Sequence, residues 1–595
     1  MNVINAPLGR YFSKSDNNLV IADFIKFNLP KKIINNYKIT YLDNIYKKNN
    51  HIRSFYFEAN QQSLKFIDLI SKRLFHNFNK KYSLITFKRL IRFFICDYII
   101  YIKHIHNVIY ELKKKHKNLK IISYQDLADI KVPNDYIEFN NWSGFSNGDF
   151  EYNHEMFANI SEKFGIKVIR KNKKKLLKSK NSKQIKLIFN LLKNKLVVFI
   201  EKIFFKNIKF LAYGSQLPLL FRIKLFFKSN FQFYQLPYRR MQENHYKNNI
   251  RDDLLRDKIF KKSILFNDIE NHYLECLKYF FPTCFLEDIK SIHAYSYKNF
   301  SHFSPSKIFS PHAWWADHAF VFWGSEISKS AKLVSGQHGG AYFLERHMIL
   351  NENDHLNTDN YLVWNSMHKN YKNQKRIPSS LMINKLPFNL DKFKSPNKIF
   401  FFFTTQSCYT TRVIESFEKQ IISSTKILNN ILMPKYSKNL FVKLHMSDFG
   451  WNLKNYLLKN IPKLSFIDNT LNFDSISKFS YLNFFMYIGT TFFQSLALNI
   501  PSIIITTNNF SICYDYNSGY KNSYHLKDIK ADSLLMIDHN LLFYDDEKFK
   551  RFINTVNIRE WWSSERIQSL RSKILKKYFS VNANPIQEWI NFINE

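Results

Sequence analysis

Two regimes of hydrophobic patterning divide the chain. Between residues 60 and 120 apolar side chains recur at helical spacing, with Leu64, Phe66, Ile67, Ile70 and Leu74 on one stripe. Residues 160–235 mix short apolar runs with lysine clusters, and 240–300 return to a helical pattern. Near residue 305 short apolar strands begin to alternate with helices. Segment 307–310 predicts a strand entering a loop, 316–329 a helix with Phe320 and Trp323 on one face, and 332–335 a second strand. Strand, helix, strand in that order implies a parallel sheet. Pro387 and Pro396 punctuate the polar stretch 382–398, which predicts a linker. The alternation then restarts, with strands expected at 398–404, 439–444, 464–467, 484–488 and 502–506. The helices between them are expected at 412–432, 451–459, from 474, and at 492–498. Five strands with intervening helices make a doubly wound unit. The terminal stretch 557–595 reads as helical and is expected to pack back across the linker.

Ligands of such sheets bind beyond the carboxyl ends of the strands, so the residues there are the candidates. The strand ending at Val334 runs into Ser335-Gly336-Gln337-His338-Gly339-Gly340. Three glycines around one histidine allow backbone to approach a substrate closely. His338 could serve as a general base or as a phosphate partner. The strand ending at Leu444 leads to His445-Met446-Ser447-Asp448, with Lys443 nearby. The strand ending at Ile488 leads to Gly489-Thr490-Thr491, with Gln494 one turn on; the two threonines stand where a helix cap belongs. The strand ending at Phe403 is followed by Thr404-Thr405-Gln406-Ser407 and then Arg412, a good diphosphate partner. Small polar residues at consecutive strand ends describe a nucleotide-diphosphate cleft.

Other motifs carry less. His312 and Asp317-His318 lack metal-site spacing and read as a helix start with surface polar groups. Trp314 and Trp315 read as packing residues, and the lysines of 171–175 as a solvated loop. No GxxxxGK[ST] loop is present.

Composition narrows the class. The chain has 595 residues, too many for one core, and its 45% hydrophobic and 17% aromatic content is that of a globular protein. A formal charge of +40 attracts polyanions: anionic lipid, phosphorylated substrates or nucleic acid. The charge is spread along the chain beside abundant Asn, Ile, Phe and Tyr, as compositional drift would produce. No zinc-finger, RRM or helix-turn-helix pattern accompanies it, so a nucleic-acid-binding protein rests on charge alone. Five cysteines, with no CxxC pair, fit a reducing cytoplasm. The N-terminus has no signal-peptide pattern. The most apolar stretches, 91–105 and 196–211, are broken by charges and too short to span a membrane. Peripheral contact with an anionic membrane surface stays open.

The turn at 336–340 with Ala341-Tyr342 resembles bacterial surface-carbohydrate (O-antigen-type) transferases. So do Val442-Lys443-Leu444-His445, Asp448-Phe449-Gly450-Trp451, and Gly489-Thr490-Thr491 with Leu496–Pro501. Asp149-Phe150-Glu151-Tyr152-Asn153-His154 and Tyr82-Ser83 with the helix after it are fainter matches; Tyr152 stands where the family pattern has Trp, and Gln494 where related enzymes often have Glu.

The resemblance implies an α/β, GT-B-like fold: two Rossmann-like domains facing a cleft, with a helix-rich N-terminal extension. The division would be 1–385 on the acceptor side, 397–556 for the donor, and 557–595 packing back. It also implies metal-independent transfer from a nucleotide-activated sugar, with no further cofactor, to a glycan or lipid-linked acceptor of O-antigen, capsule or a similar polymer. His338 would be catalytic. Gln337, Gly339, Gly340, Arg412, Lys443, His445, Asp448, Gly489, Thr490, Thr491 and Gln494 would bind the donor. Transfer of a polyol phosphate on the same plan is the alternative.

Overall fold

The computed structural model describes residues 1–22, 24–42, 45, 49–145, 149–171, 199, 201–205, 208–241, 251–340, 349–364, 372–381, 383, 397–405, 417–506, 535–579 and 584–595. Its described strands form three sheets, and every strand pair is parallel.

The first sheet contains β1 (Asn2–Ile4), β2 (Asn18–Val20), β3 (Ile39–Tyr41), β4 (Lys120–Ser123) and β5 (Lys167–Arg170), in the order β3-β2-β1-β4-β5. The N-terminal extension is therefore not only helical. The two long helices, α1 (Asn49–Asn77) and α2 (Leu84–Lys115), are the connection between β3 and β4. Tyr82-Ser83 is the start of α2, where the Ser83 hydroxyl accepts the Thr86 N–H at 3.2 Å. A third helix, α3 (Phe150–Lys163), links β4 to β5 and is capped by Asp149.

The second sheet contains β6 (Phe210–Tyr213), β7 (Phe233–Leu236), β8 (Lys307–Phe309), β9 (Lys332–Gly336), β10 (Asn360–Val363) and β11 (Gln374–Arg376). Its order is β11-β10-β9-β8-β6-β7, which is the flavodoxin-like winding of a doubly wound sheet. Helix α4 (Leu219–Lys228) joins β6 to β7, and α5 (His318–Glu326) lies between β8 and β9.

The third sheet contains β12 (Lys398–Phe402), β13 (Leu440–Lys443), β14 (Ser465–Phe466), β15 (Ser480–Phe485), β16 (Ser502–Ile505) and β17 (Leu542–Phe543). Its order, β14-β13-β12-β15-β16-β17, is the Rossmann winding. Its central strands, such as Lys-Ile-Phe-Phe-Phe in β12 and Ser-Ile-Ile-Ile in β16, are near-continuous apolar runs because both faces are covered. The helices that matter below are α6 (Phe417–Ile427), α7 (Leu453–Asn460) and α8 (Thr490–Ala497).

Two C-terminal helices tie the halves together. Phe579, at the end of α9 (Glu565–Tyr578), stacks on Phe493 of α8 at 5.8 Å and meets Trp364, just past β10, at 5.2 Å. Helix α10 (Pro585–Asn594) buries Trp589, Phe592 and Ile593 against Phe210 and Phe309 of the second sheet, and the Lys307 ammonium donates to the Phe592 carbonyl at 2.6 Å. Two facing parallel α/β units with the chain's end returning to the first make the fold GT-B-like.

Candidate functional site

Sites in doubly wound sheets form where the strand order reverses, because the loops there diverge and leave a crevice. The three sheets use that crevice differently.

In the first sheet it lies between β1 and β4, and α3 fills it. His154 accepts the Asn5 N–H at 3.2 Å and bonds the Ile122 carbonyl at 2.9 Å, and its ring lies 3.8 Å from that of Tyr11. The Glu155 carboxylate takes the Tyr11 hydroxyl at 2.8 Å, the Ser123 hydroxyl at 2.5 Å and the Tyr124 N–H at 3.0 Å. Both side chains are fully buried, and burial pushes the His154 imidazole down to about 4. The Asn-His-Glu run of α3 thus packs its own side chains into this crevice.

In the second sheet the reversal lies between β6 and β8. Gln216, after β6, donates its amide N–H to His312 Nε2 at 3.1 Å; His312 follows β8. The His312 ring meets that of His338, which follows β9, edge-on at 4.1 Å between centroids. Burial pushes His312 down to about 4, so it is neutral near pH 7. His312, expected at the surface from the sequence, lies against His338. The only signal for it was its position past a strand end.

Its neighbours in that segment are structural. Asp317 accepts the Tyr213 hydroxyl at 2.5 Å and caps α5 through the Phe320 N–H at 3.2 Å. His318 accepts the Tyr136 N–H at 3.3 Å, and the Trp314 indole donates to the Val334 carbonyl at 2.9 Å. Asp317 and His318 are buried, not surface groups, and Trp314 packs as expected.

The turn after β9 is held from three sides. The Gln337 N–H donates to the Leu362 carbonyl at 2.8 Å. Its side-chain amide donates to the Gly339 carbonyl at 2.9 Å and accepts the Trp364 N–H at 3.0 Å. Gln337 therefore shapes the loop with its own atoms and is buried. His338 is half-buried beside it. Gly340 crosses to the other half, where its N–H donates to Thr490 Oγ1 at 2.8 Å. A Cβ on Gly340 would stand 2.9 Å from Thr490 Cα and 2.7 Å from the Phe493 ring, so only glycine fits this approach.

In the third sheet the reversal lies between β12 and β15. Helix α8 starts there, with Gly489 in extended conformation as the cap. Thr490 and Thr491 are the first two helical residues, not the cap; both are half-buried, and the N–H groups of this first turn have no partner within the helix. Gln494 is buried one turn further on.

Beyond β12 and β13 is a cavity of about 270 Å³, lined in part by Thr405, His445, Asp448 and Asn469. His445 shares Nδ1 with the Ser447 backbone at 3.1 Å and stacks on Phe449 at 5.3 Å. Desolvation, with Lys443 adding to it, lowers its pKa although one edge stays exposed.

Three expected donor ligands stand otherwise. The Lys443 ammonium is committed to the carbonyls of Asp468 at 3.2 Å and Asn469 at 2.6 Å, so it fastens a loop instead of reaching into the cleft. Asp448 borders the cavity, but its carboxylate is occupied by the N–H groups of Asn452 at 2.5 Å and Leu453 at 2.9 Å at the start of α7. Arg412 lies outside the described residues. Asp448-Phe449-Gly450-Trp451 is a joint between units: Trp451 packs on Phe27 at 5.5 Å and Phe417 at 4.9 Å, and the Asn28 amide donates to the Gly450 carbonyl at 2.6 Å.

Among the described residues no group of three or more His, Cys, Asp or Glu could hold a metal ion, and no helix is long and apolar enough to cross a membrane. The site's chemistry is thus an imidazole pair on one wall and a helix N-terminus on the other, in contact through Gly340 and Thr490.

No curated protein matches the chain. Among solved structures it is similar to S. aureus MnaA with UDP, at 11% identity and a TM-score of 0.35 over 65% of this chain and 98% of that one. It is similar also to a variant of the wall teichoic acid polymerase TagF soaked with CDPG, at 9% identity and a TM-score of 0.31 over 69% and 98%. A third is the UDP-GlcNAc 2-epimerase of Neisseria meningitidis bound to UDP-GlcNAc, at 9% and 0.31 over 62% and 98%. The sequence pattern of one family, the LIC12162 family transferases, matches residues 8–593, and the chain belongs to that family.

Proposed function

We propose that the protein transfers a sugar from a nucleotide-activated donor to the glycan or lipid-linked precursor of a cell-surface polymer, without a metal ion. The observation that carries this reading is the bond between the two cleft walls, from Gly340 N–H to Thr490 Oγ1, which brings the turn that carries His338 to the N-terminus of α8. In this reading the donor phosphates lie at that N-terminus, where first-turn N–H groups, the threonine hydroxyls and the helix dipole meet negative charge. The nucleoside reaches toward the cavity beside His445. His338 takes the proton of the acceptor hydroxyl as its oxygen attacks the anomeric carbon from the opposite face. The bond from that carbon to the phosphate oxygen breaks, and the nucleoside diphosphate leaves with the electron pair, its charge stabilised by α8. Configuration is inverted. The reaction belongs on the cytoplasmic side, where nucleotide sugars are made.

The test has two parts. A panel of CDP-, UDP-, GDP- and CMP-activated sugars and polyols, scored by thermal shift, identifies the donor. His338→Ala is then assayed with that donor. The expected loss in turnover is on the order of 10²–10⁴, as for removal of a general base, with donor binding retained. Unchanged turnover overturns the role of His338.

A further inference from the structure

Single exposed apolar residues are ordinary, whereas a contiguous set needs a partner. Of the 24 exposed large apolar side chains among the described residues, 8 fall between residues 199 and 231. Helix α4 carries four: Leu219 is 62% exposed, Leu220 69%, Ile223 44% and Phe227 59%. At about 100° per residue these four span an arc of about 100°, with Lys224 and Lys228 next to it, also exposed. Phe221 and Leu225, on the far side, are fully buried in the core of the second sheet.

The apolar ridge extends beyond the helix. Phe231 is held outward by two consecutive left-handed residues, Asn230 at φ 52° and Phe231 itself at φ 62°, and its ring lies 5.7 Å from that of Phe227. A neighbouring helical turn packs Phe205 against Phe226 at 6.0 Å, and it exposes Phe199, Ile203 and Phe204 with Lys202. The only acidic residue from 171 to 231 is Glu201, which is fully buried and paired with Arg239. The ridge is bordered by lysines and its own segment exposes no acid, while α10, which packs against α4, adds only the half-buried Glu588. Such a ridge is complementary to an anionic bilayer surface, its side chains entering the acyl boundary and its ammonium groups meeting the headgroups.

The position of the ridge gives it a role. Helix α4 follows β6 by way of Gln216, the residue that holds His312 against His338. Leu220 is four residues further on, at most about 14 Å of chain. We propose that α4 and the turn at 201–205 dock the protein on an anionic lipid bilayer, so that the crevice holding His338 opens at the membrane surface. This rests on the reading of the cleft as a transferase site only for its purpose; the docking itself involves no substrate.

The test is co-sedimentation of the full chain with vesicles of phosphatidylcholine alone and of an equal mixture of phosphatidylcholine and phosphatidylglycerol. Binding is expected on the mixed vesicles, and salt should weaken it. Leu220→Ser with Phe227→Ser should reduce it at least about a hundredfold, because two large side chains no longer leave water. Lys224→Gln with Lys228→Gln should reduce it by about fivefold per lysine. All four positions are exposed, and circular dichroism checks that the variants fold. Mixed-vesicle binding unchanged in the Leu220/Phe227 variant overturns the proposal. So does a wild-type dimer, seen by sedimentation velocity, that this variant dissolves, because the ridge is then a self-interface. Failure here leaves donor binding and the His338→Ala assay untouched, so the two readings fall separately.

Discussion

His312 and His338 come from adjacent strand ends and meet ring to ring, with the Gln216 amide bonded to Nε2 of the first. A neutral imidazole at this distance limits where the His338 ring can turn and shields one face of it from water. It touches neither donor nor acceptor in the proposed reaction, so its role is positional. His312→Ala should lower kcat by about ten- to a hundredfold through the loosened geometry, with KM for the donor little changed. His312→Gln, which keeps a polar group near the position of Nε2 for Gln216, should recover part of the loss. Equal kcat in wild type and alanine variant would remove His312 from the site. The sequence could not show this contact. His312 and His338 become neighbours only because the winding sets β8 beside β9, and Gln216 joins them only because β6 takes β8's other edge.

At the scale of elements, the site depends on the fit between the glycine turn and the first turn of α8. Gly340→Ala puts a methyl group against backbone, at 2.9 Å from Thr490 Cα and 3.0 Å from Thr490 N, where no side-chain rotation relieves it. The halves must separate locally, and the Gly340–Thr490 bond is lost with the contact. A destabilisation of about 1–3 kcal/mol is expected from the overpacking, together with weaker nucleotide binding. Thermal melts with and without donor measure both, and unchanged melts would mean that the turn and α8 are not in contact in solution. These two elements were the ones most legible in the sequence: a long apolar strand ending in Gly-Thr-Thr, and a strand ending in Gly-Gln-His-Gly-Gly. The third sheet was legible for the same reason, since buried parallel strands are bare apolar runs. The first sheet was not. Its strands β1, β2 and β3 have three residues each, Asn2 and Asn18 are spent on each other at 2.9 Å, and long helices separate β3 from β4. No period can be read from three residues. The backbone bonds of Lys443 and Asp448 were not legible either, because a cation or carboxylate past a strand end can serve the loop's own backbone as well as a ligand.

Over the whole molecule, the three α/β units are joined at a few dense points, and two buried histidines are held uncharged, one inside the first unit and one where units meet. His154 packs into the crevice of the first sheet, and His318 accepts the Tyr136 N–H where α5 meets the N-terminal helices. Burial holds both near pKa 4, whereas an unfolded chain has them near about 6.5. The folded state therefore refuses protons that the unfolded state accepts. Above about pH 6.5 this costs nothing; as pH falls from there toward about 4, stability is lost by up to about 1.4 kcal/mol per pH unit for each histidine. Asp317 acts in the opposite sense. Burial raises it to about 6, so the folded state binds its proton more tightly, and stability is gained as pH falls through that value. His104 and His312, also held near 4 by burial, add to the loss, and buried Asp354, raised as Asp317 is, offsets part of it; four histidines outweigh two carboxyls, so the net effect in this window is a loss. Urea melts at steps between about pH 7 and about pH 4.5 should show the midpoint falling with acid. His154→Gln keeps an acceptor for the Asn5 N–H and a donor for the Ile122 carbonyl but cannot be protonated. It should be less stable than wild type near pH 7, because glutamine fills the space against Tyr11 less well, yet its midpoint should fall less steeply. Parallel curves for the two proteins would mean that His154 takes up its proton without unfolding the first unit. In that case the acid sensitivity would pass to His318, at the contact between α5 and Tyr136.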